Sequence, residues 1–299
     1  MTLKETHFGP VLLIPGDNKG RYPFCHSLYI EGKTRALIDP ASNRDRLTEI
    51  KNGPGVDQVW LTHYHEDHFT HLDLFSDTEL WMSDLDAPAM EDMKKLLYFY
   101  ELDESDTYDL WENYLIDFFN YEPRKVEGRF EGSDDVVVDL GGVTVRVIPT
   151  PGHTAGNLSF FFEDQGLLFI GDYDLSKFGP WYGDRYSSIE DTIESVNKLR
   201  DIPARMWIPS HGDGIYDSEP GELWDKYLSV IDTRELRLLD LLSEPHTMQE
   251  IVDTRIVYKK SLEPKLFFDF GEWALMKKHV ERLVNGGAVV EKNGRFVRT

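Results

Sequence analysis

Ten consecutive residues, Thr62 to His71 (THYHEDHFTH), carry four histidines and two acids directly after the apolar run VDQVW. Imidazole and carboxylate are the donors that borderline divalent cations take up. His63 and His65 lie two apart, so a continuing extended segment points both rings the same way. Asp67 and His68 follow where a helix is expected to start and offer a carboxylate and a second kind of imidazole. Three further motifs close an apolar run with a donor: His153 in TPGHTAGN after VTVRVI, Asp172 at the end of LLFIGD, and His211 in MWIPSHGD. A sheet that gathers these strand exits brings five histidines and two aspartates to one rim.

The elements that would position them are short and β-rich. SLYIEG, RALIDP, QVWLTH, ELWMS, VTVRVI, LSFFFED, LLFIGD and RMWIPSH are rich in Val, Ile, Phe and Trp and end in Gly, Pro, Asp or His. Helical patterns such as SIEDTIESVNKLRDI fall between some of them, which reads as α/β. One composition shift interrupts this region. Residues 84–129 are acidic and crowded with aromatics, with helical spacing in YDLWENYLIDFF, and read as an insertion whose rings outnumber what one amphipathic helix needs. A pocket lid and a homodimer contact both account for the surplus.

From about Trp224 the pattern becomes three helices and a hairpin. LWDKYLSVIDTRELRLLDLLSE is amphipathic, TMQEIV starts at Thr247 as an N-cap, and EWALMKKHVERLVNGG closes on Gly286 and Gly287. AVVEKNGRFVRT turns at Asn293-Gly294. We expect a catalytic region over 1–223 and a winged-helix-like region over 224–299.

The chain has 299 residues, with 32 Lys and Arg against 54 Asp and Glu, for a formal charge of −22. Such a surface repels phosphate backbones, so nucleic acid is a poor partner. A lone cysteine, Cys25, excludes an intrachain disulfide, and no N-terminal apolar stretch is long enough for a signal sequence or a membrane span. The expectation is a soluble, cytoplasmic protein with a small-molecule substrate and no membrane partner.

The motifs HYHEDH, GH in TPGHT, GD in IGD and HG in PSHG, in that order from about Val11 to Trp224, resemble those of the metallo-β-lactamase-fold hydrolases. The resemblance implies an αββα sandwich with its site at one edge of the two sheets. It implies one metal held by His63, His65 and His153, a second by Asp67, His68 and His211, and Asp172 between them. Where many members have a pair of glycines after the first motif, this chain has Phe69-Thr70-His71. Two divalent ions roughly 3.5–4 Å apart, zinc first and iron or manganese also compatible, could lower the pKa of a shared water to about 7, supplying a hydroxide to attack a polarised carbonyl or phosphoryl group. Asp67 could also take up a proton as the catalytic residue.

Substrate contacts are expected from the loop YDLSKFGPWYGDRY, at Tyr173, Lys177, Trp181 and Tyr182. Tyr64 and Glu66 alternate with the donors and are expected to face away. His71 is either a support to the donors or a surface histidine, and His7, His26, His246 and His279 read as structural. The reading is a hydrolase of small esters, thioesters or lactones. The alternatives are a nuclease using the C-terminal region, and a di-iron redox protein, which the presence of His65 where those proteins usually carry Glu weakens. From Arg234 to Thr299 there are 12 basic and 10 acidic residues, so the tail is near neutral. Packing on the catalytic region, or shaping its pocket entrance, suits that balance better than binding a polyanion.

Overall fold

The computed structural model describes residues 3–103, 106–212 and 214–299. Seven strands form one sheet in chain order: β1 (Thr6–Phe8), β2 (Val11–Ile14), β3 (Ser27–Glu31), β4 (Arg35–Ile38), β5 (Gln58–Trp60), β6 (Glu79–Ser83) and β7 (Gly128–Phe130). The first four are antiparallel neighbours, and β4 through β7 pair in parallel. A second sheet holds β8 (Val136–Asp139), β9 (Thr144–Pro149), β10 (Leu158–Phe162), β11 (Leu167–Gly171) and β12 (Met206–Pro209) in the order β12-β11-β10-β9-β8. Only its β11–β12 pair is parallel.

Side-chain alternation makes the layers. Val11, Leu13, Leu28, Ile30 and Ile38 point inward to meet Val145, Val147, Phe160, Phe162 and Phe169 of the second sheet. Their neighbours Leu12, Ile14, Tyr29 and Leu37 point outward onto helices. Strands buried on both faces read as unbroken apolar runs, hence VLLI, LSFFF and LLFIG. Each large side chain buried this way contributes about 1.5–3 kcal/mol.

After the single turn α1 (Asp17–Gly20), the outer face of the first sheet carries α2 (Arg44–Asn52), α3 (Ala87–Glu91), α4 (Met93–Phe99) and α5 (Tyr108–Phe119). Of these, α2 to α5 pack into the core beneath the sheet. α6 (Ile189–Arg200) and the first half of α7 (Glu222–Leu241) cover the second sheet through Val196, Leu199, Trp224 and Tyr227. The fold is therefore an αββα sandwich. The second half of α7 leaves the sheet and joins α8 (Met248–Thr254), α9 (Lys265–Asn285) and the hairpin β13 (Val289–Lys292) and β14 (Arg295–Arg298) around a separate apolar cluster. Thr247 caps α8 in a reciprocal capping box with Glu250, and Asn293 and Gly294 carry the positive φ that the hairpin turn requires.

Two features differ from the expectation. Residues 84–129 are not an appendage: Met90, Leu96, Leu97, Leu115 and Phe119 share one core with Leu37, Leu80 and Met82 of the sheet. Secondly, α9 begins at Lys265, nearly two turns before Glu272. Its additional turns carry Phe267 and Phe270, and Trp111 of α5 lies 6.0 and 5.3 Å from their ring centres. Trp111, one of the surplus rings, is thus covered by α9.

Candidate metal centre

Four loops at strand ends deliver the donors. β5 runs into His63 and His65 and then a 3-10 turn over Glu66–His68, while His153 follows β9, Asp172 follows β11 and His211 follows β12. Two glycines make the approach possible. Gly152 has a φ of 124°, and a Cβ there would meet the Thr192 amide nitrogen of α6 at 2.3 Å. Gly20 has a φ of 63°, and a Cβ there would strike the His26 ring at 2.4 Å.

Donor atoms of His63, His65, His153 and Asp172 lie within 4.8 Å of one another, as do those of Asp67, His68 and His211. His153 Nε2 is 3.1 Å from His63 Nε2 and 2.9 Å from His65 Nδ1. Asp172 joins the two sets: Oδ2 is 3.4 Å from His153 Nε2, and Oδ1 is 3.0 Å from His68 Nε2 and 3.3 Å from His211 Nε2. Asp67 Oδ2 is 3.4 Å from His211 Nε2. All seven side chains expected from the sequence converge.

Hydrogen bonds on the outer side fix which nitrogens face inward. His65 Nε2 meets Asp184 Oδ2 at 2.7 Å, His68 Nδ1 meets Asp39 Oδ2 at 2.9 Å, and His211 Nδ1 meets the Gly20 carbonyl at 2.7 Å. Each outer partner only accepts, so each outer nitrogen carries the proton and leaves a lone pair facing the cluster. The Thr62 hydroxyl donates to Asp39 Oδ2 at 2.9 Å and so accepts from His63 Nδ1, also at 2.9 Å. Four histidines thus aim lone pairs at two carboxylates in a space that is almost wholly buried. Buried His68 Nε2 and Asp172 Oδ1 make no hydrogen bond. Such a donor set fits divalent cations and is repulsive without positive charge. The same field acts on the imidazoles. Burial opposes a charge on His211, but the adjacent Asp172 outweighs it and raises the pKa to about 9. Burial likewise opposes a charge on His65, and Asp184 overrides it to give about 9. His153 is pushed down to about 3, chiefly by burial.

A cavity of about 350 Å³ opens above this floor. His65, Asp67, His153, Asp172 and His211 line its base, and apolar rings from α5, the loop after β11 and α9 line its sides. Of the four substrate contacts expected from the sequence, Trp181 faces the cavity and donates to Asp184 Oδ1 at 3.1 Å. The other three lie off it. Tyr173 is fully buried, its hydroxyl donating to the Thr150 and Pro151 carbonyls. Tyr182 is buried between His279 and Arg234, and Lys177 points to solvent. These placements follow from the loop turning inward on its own aromatic residues.

Glu66 also departs from the expectation. It lines the cavity, accepting from Tyr22 at 2.8 Å and Tyr100 at 2.5 Å, because the 3-10 turn breaks strict alternation. Tyr64 faces away but donates to Asp184 at 2.6 Å, supporting His65 from behind. His71 packs beside Phe24 and Arg44. His26 accepts from the Gly16 amide and donates to the Gly212 carbonyl, bracing the loop next to His211. Cys25 is fully buried, and burial pushes its thiol up to about 12. The sequence reading assigned no role to Asp39, Asp184 or Tyr22, and counted Tyr100 only among the surplus rings of residues 84–129. Asp39 is the penultimate residue of RALIDP and Asp184 lies in the quoted loop, so position was visible and partnership was not.

Residues 21–211 match the metallo-beta-lactamase superfamily. The chain belongs to that superfamily. Beta-lactamase-like protein 2 homolog of Caenorhabditis elegans is 28% identical over 207 residues, covering 69% of this chain and 58% of that protein. The probable polyketide biosynthesis zinc-dependent hydrolase BaeB of Bacillus velezensis is 26% identical over 210 residues, 69% of this chain and 78% of that protein. The chain spans less than two thirds of the nematode protein's length. Among solved structures, a metallo-beta-lactamase family protein from Thermus thermophilus superposes with a TM-score of 0.71 at 22% identity, over 97% of this chain and 99% of that one. A beta-lactamase domain protein from Burkholderia ambifaria gives 0.71 at 20%, over 99% and 94%. At these identities the likeness is one of fold. Among the described residues no helix is long and apolar enough to cross a membrane.

Proposed function

We propose that the protein is a dinuclear metal hydrolase that cleaves an ester, thioester or lactone of a small molecule. The observation that carries this reading is the convergence of seven donors, lone pairs inward, on the floor of a small cavity with apolar walls. His63, His65 and His153 would hold one ion, Asp67, His68 and His211 the other, and Asp172 would serve both. When bound, such ions supply Lewis acidity toward a carbonyl oxygen and an activated water. The chain's own groups do the rest. Asp184, held by Tyr64 and Trp181, fixes the ring of His65, and Asp39 with Thr62 fixes His63 and His68. Asp67 opens on the cavity and is placed to accept a proton. The relationship to a protein named as a zinc-dependent hydrolase supports zinc as the metal. A cavity of about 350 Å³ suits a small ligand. Its lining holds Glu66, Asp67, Asp172 and Asp174 against a single Lys or Arg among the described residues, Arg21, which disfavours a polynucleotide. Location in the cytoplasm, and a tail that shapes the pocket entrance rather than binding DNA, belong to the same reading.

The test is a panel of thioester, lactone, phosphodiester and β-lactam substrates on zinc-loaded protein. Turnover confined to the acyl substrates is the expected result. Turnover of the phosphodiester alone would replace this reading with the nuclease.

A further inference from the structure

We propose that the first two turns of α9, together with Trp111, form the wall that selects the substrate's acyl group, and that this group is a compact aromatic or branched apolar one. The proposal rests on the hydrolase reading and adds to it the substrate class and the residues that choose it.

The floor of the cavity comes from the strand ends, while part of its wall comes from the C-terminal region. Every polar donor on the floor sits at a strand end before residue 212, whereas Tyr258, Phe267, Phe270 and Gly271 come from beyond α8. Trp111 is 7% exposed and fixed, while Phe267 and Phe270 stay half-buried, with ring surface free toward the cavity. Phe178 and Tyr258 face them from the other side, with ring centres 5.7 Å apart. Aromatic faces arranged around a void favour a flat apolar guest.

The wall is held before any ligand arrives. Gly271 lines the cavity, and a Cβ on it would meet the Tyr258 hydroxyl at 2.4 Å. Lacking a side chain, it lets Tyr258 lie against the helix. The buried carboxylate of Glu272 accepts from the amides of Val257 at 2.9 Å and Tyr258 at 3.1 Å, fixing the backbone that carries this ring. Tyr22 ties the same corner to the donor loop: its ring lies 5.3 Å from Phe267 and its hydroxyl donates to Glu66. Preorganisation of this kind removes ordering costs from binding. The volume of about 350 Å³ lies at the small end of ligand pockets, which suits a compact acyl group such as phenylacetyl.

The experiment compares phenylacetyl and acetyl thioesters of the same small thiol in wild type, Phe267→Ala, Phe270→Ala, Phe270→Leu and, as a control, Phe118→Ala, whose ring is exposed on α5 away from the cavity. Calorimetric titration with phenylacetate and acetate runs in parallel, and thermal unfolding and metal content report on folding. Wild type is expected to favour phenylacetyl in kcat/KM by about tenfold or more, and Phe270→Ala to erase that preference by losing phenylacetyl turnover with acetyl turnover kept within about threefold. Phe270→Leu should restore part of it and Phe118→Ala should leave it intact. An unchanged preference in a folded variant, or equal loss on both substrates, overturns the proposal. If Phe270→Ala does not fold, Phe270→Leu and Phe267→Ala decide by the same criterion. If wild type cleaves neither thioester, the substrate panel decides the hydrolase reading and the titration decides the wall alone: tighter phenylacetate binding that Phe270→Leu weakens supports it, and equal binding of both acids overturns it.

Discussion

Asp67 has two claims on it, as a donor beside His211 and as the carboxylate opening onto the cavity. Asp67→Ala is therefore expected to lower kcat by orders of magnitude and weaken one of the two ions, while the thermal midpoint of the metal-free protein moves little, since no core contact is lost. Stopped-flow kinetics and metal analysis on one preparation check both. Cys25→Ser should leave turnover within about twofold, because a thiol buried and protonated below pH 12 offers no nucleophile. Loss of turnover in Cys25→Ser with retention in Asp67→Ala would reverse the assignment of chemistry. Asp184 makes the third case. It touches no expected ion, yet it orients His65, so Asp184→Asn should cost about 10–100-fold in metal affinity or activity, read by chelator competition.

At the scale of elements, α9 carries two duties, closing the cavity at its start and anchoring the C-terminal cluster further along. His279 serves the second. It is buried, meets the Tyr182 hydroxyl at 2.8 Å and Glu235 at 3.3 Å, and burial holds its pKa below the usual 6.5. In the unfolded chain it takes up a proton near 6.5, before the folded protein does. Between those two pKa values stability falls as pH falls, and above the higher one it is fully present. Urea unfolding midpoints at pH 8 and 5.5 should show this loss, and His279→Gln should flatten it. The start of α9 was hidden in the sequence because Phe267, Phe270 and Gly271 serve a cavity rather than one continuous core face, so the helical period is blurred and a mid-helix glycine suggests a break. The later turns, facing one cluster, were readable. Residues 84–129 show the converse: the period of α5 was plain, but what its Trp111 meets is set by a helix more than a hundred residues away.

For the whole molecule, protein prepared without chelator should carry close to two ions per chain, and chelation should lower the thermal midpoint as well as abolish turnover, since ions that bind only the folded state stabilise it. Elemental analysis with paired melting curves checks this; one ion or none in folded, metal-supplemented protein contradicts the dinuclear site. The donors themselves were legible because each closes an apolar run, often next to Gly or Pro, and that pattern is local. Their supports were not. Asp184 reaches His65 across 119 positions and Asp39 reaches His68 across 29, and a single carboxylate carries no periodic mark of its partner. The antiparallel and parallel runs of the first sheet follow from turn lengths, but how the C-terminal helices dock on it depends on shape that no local pattern records.

The separation of floor from wall also sets an order in time. A ribosome that has released His211 has already supplied every donor, while Tyr258, Phe267 and Phe270 are still to be made. The rings that discriminate are thus the last part of the site to be made. By the same division, inheritance can alter Tyr258 and the first turns of α9 and change what is cleaved without touching a donor.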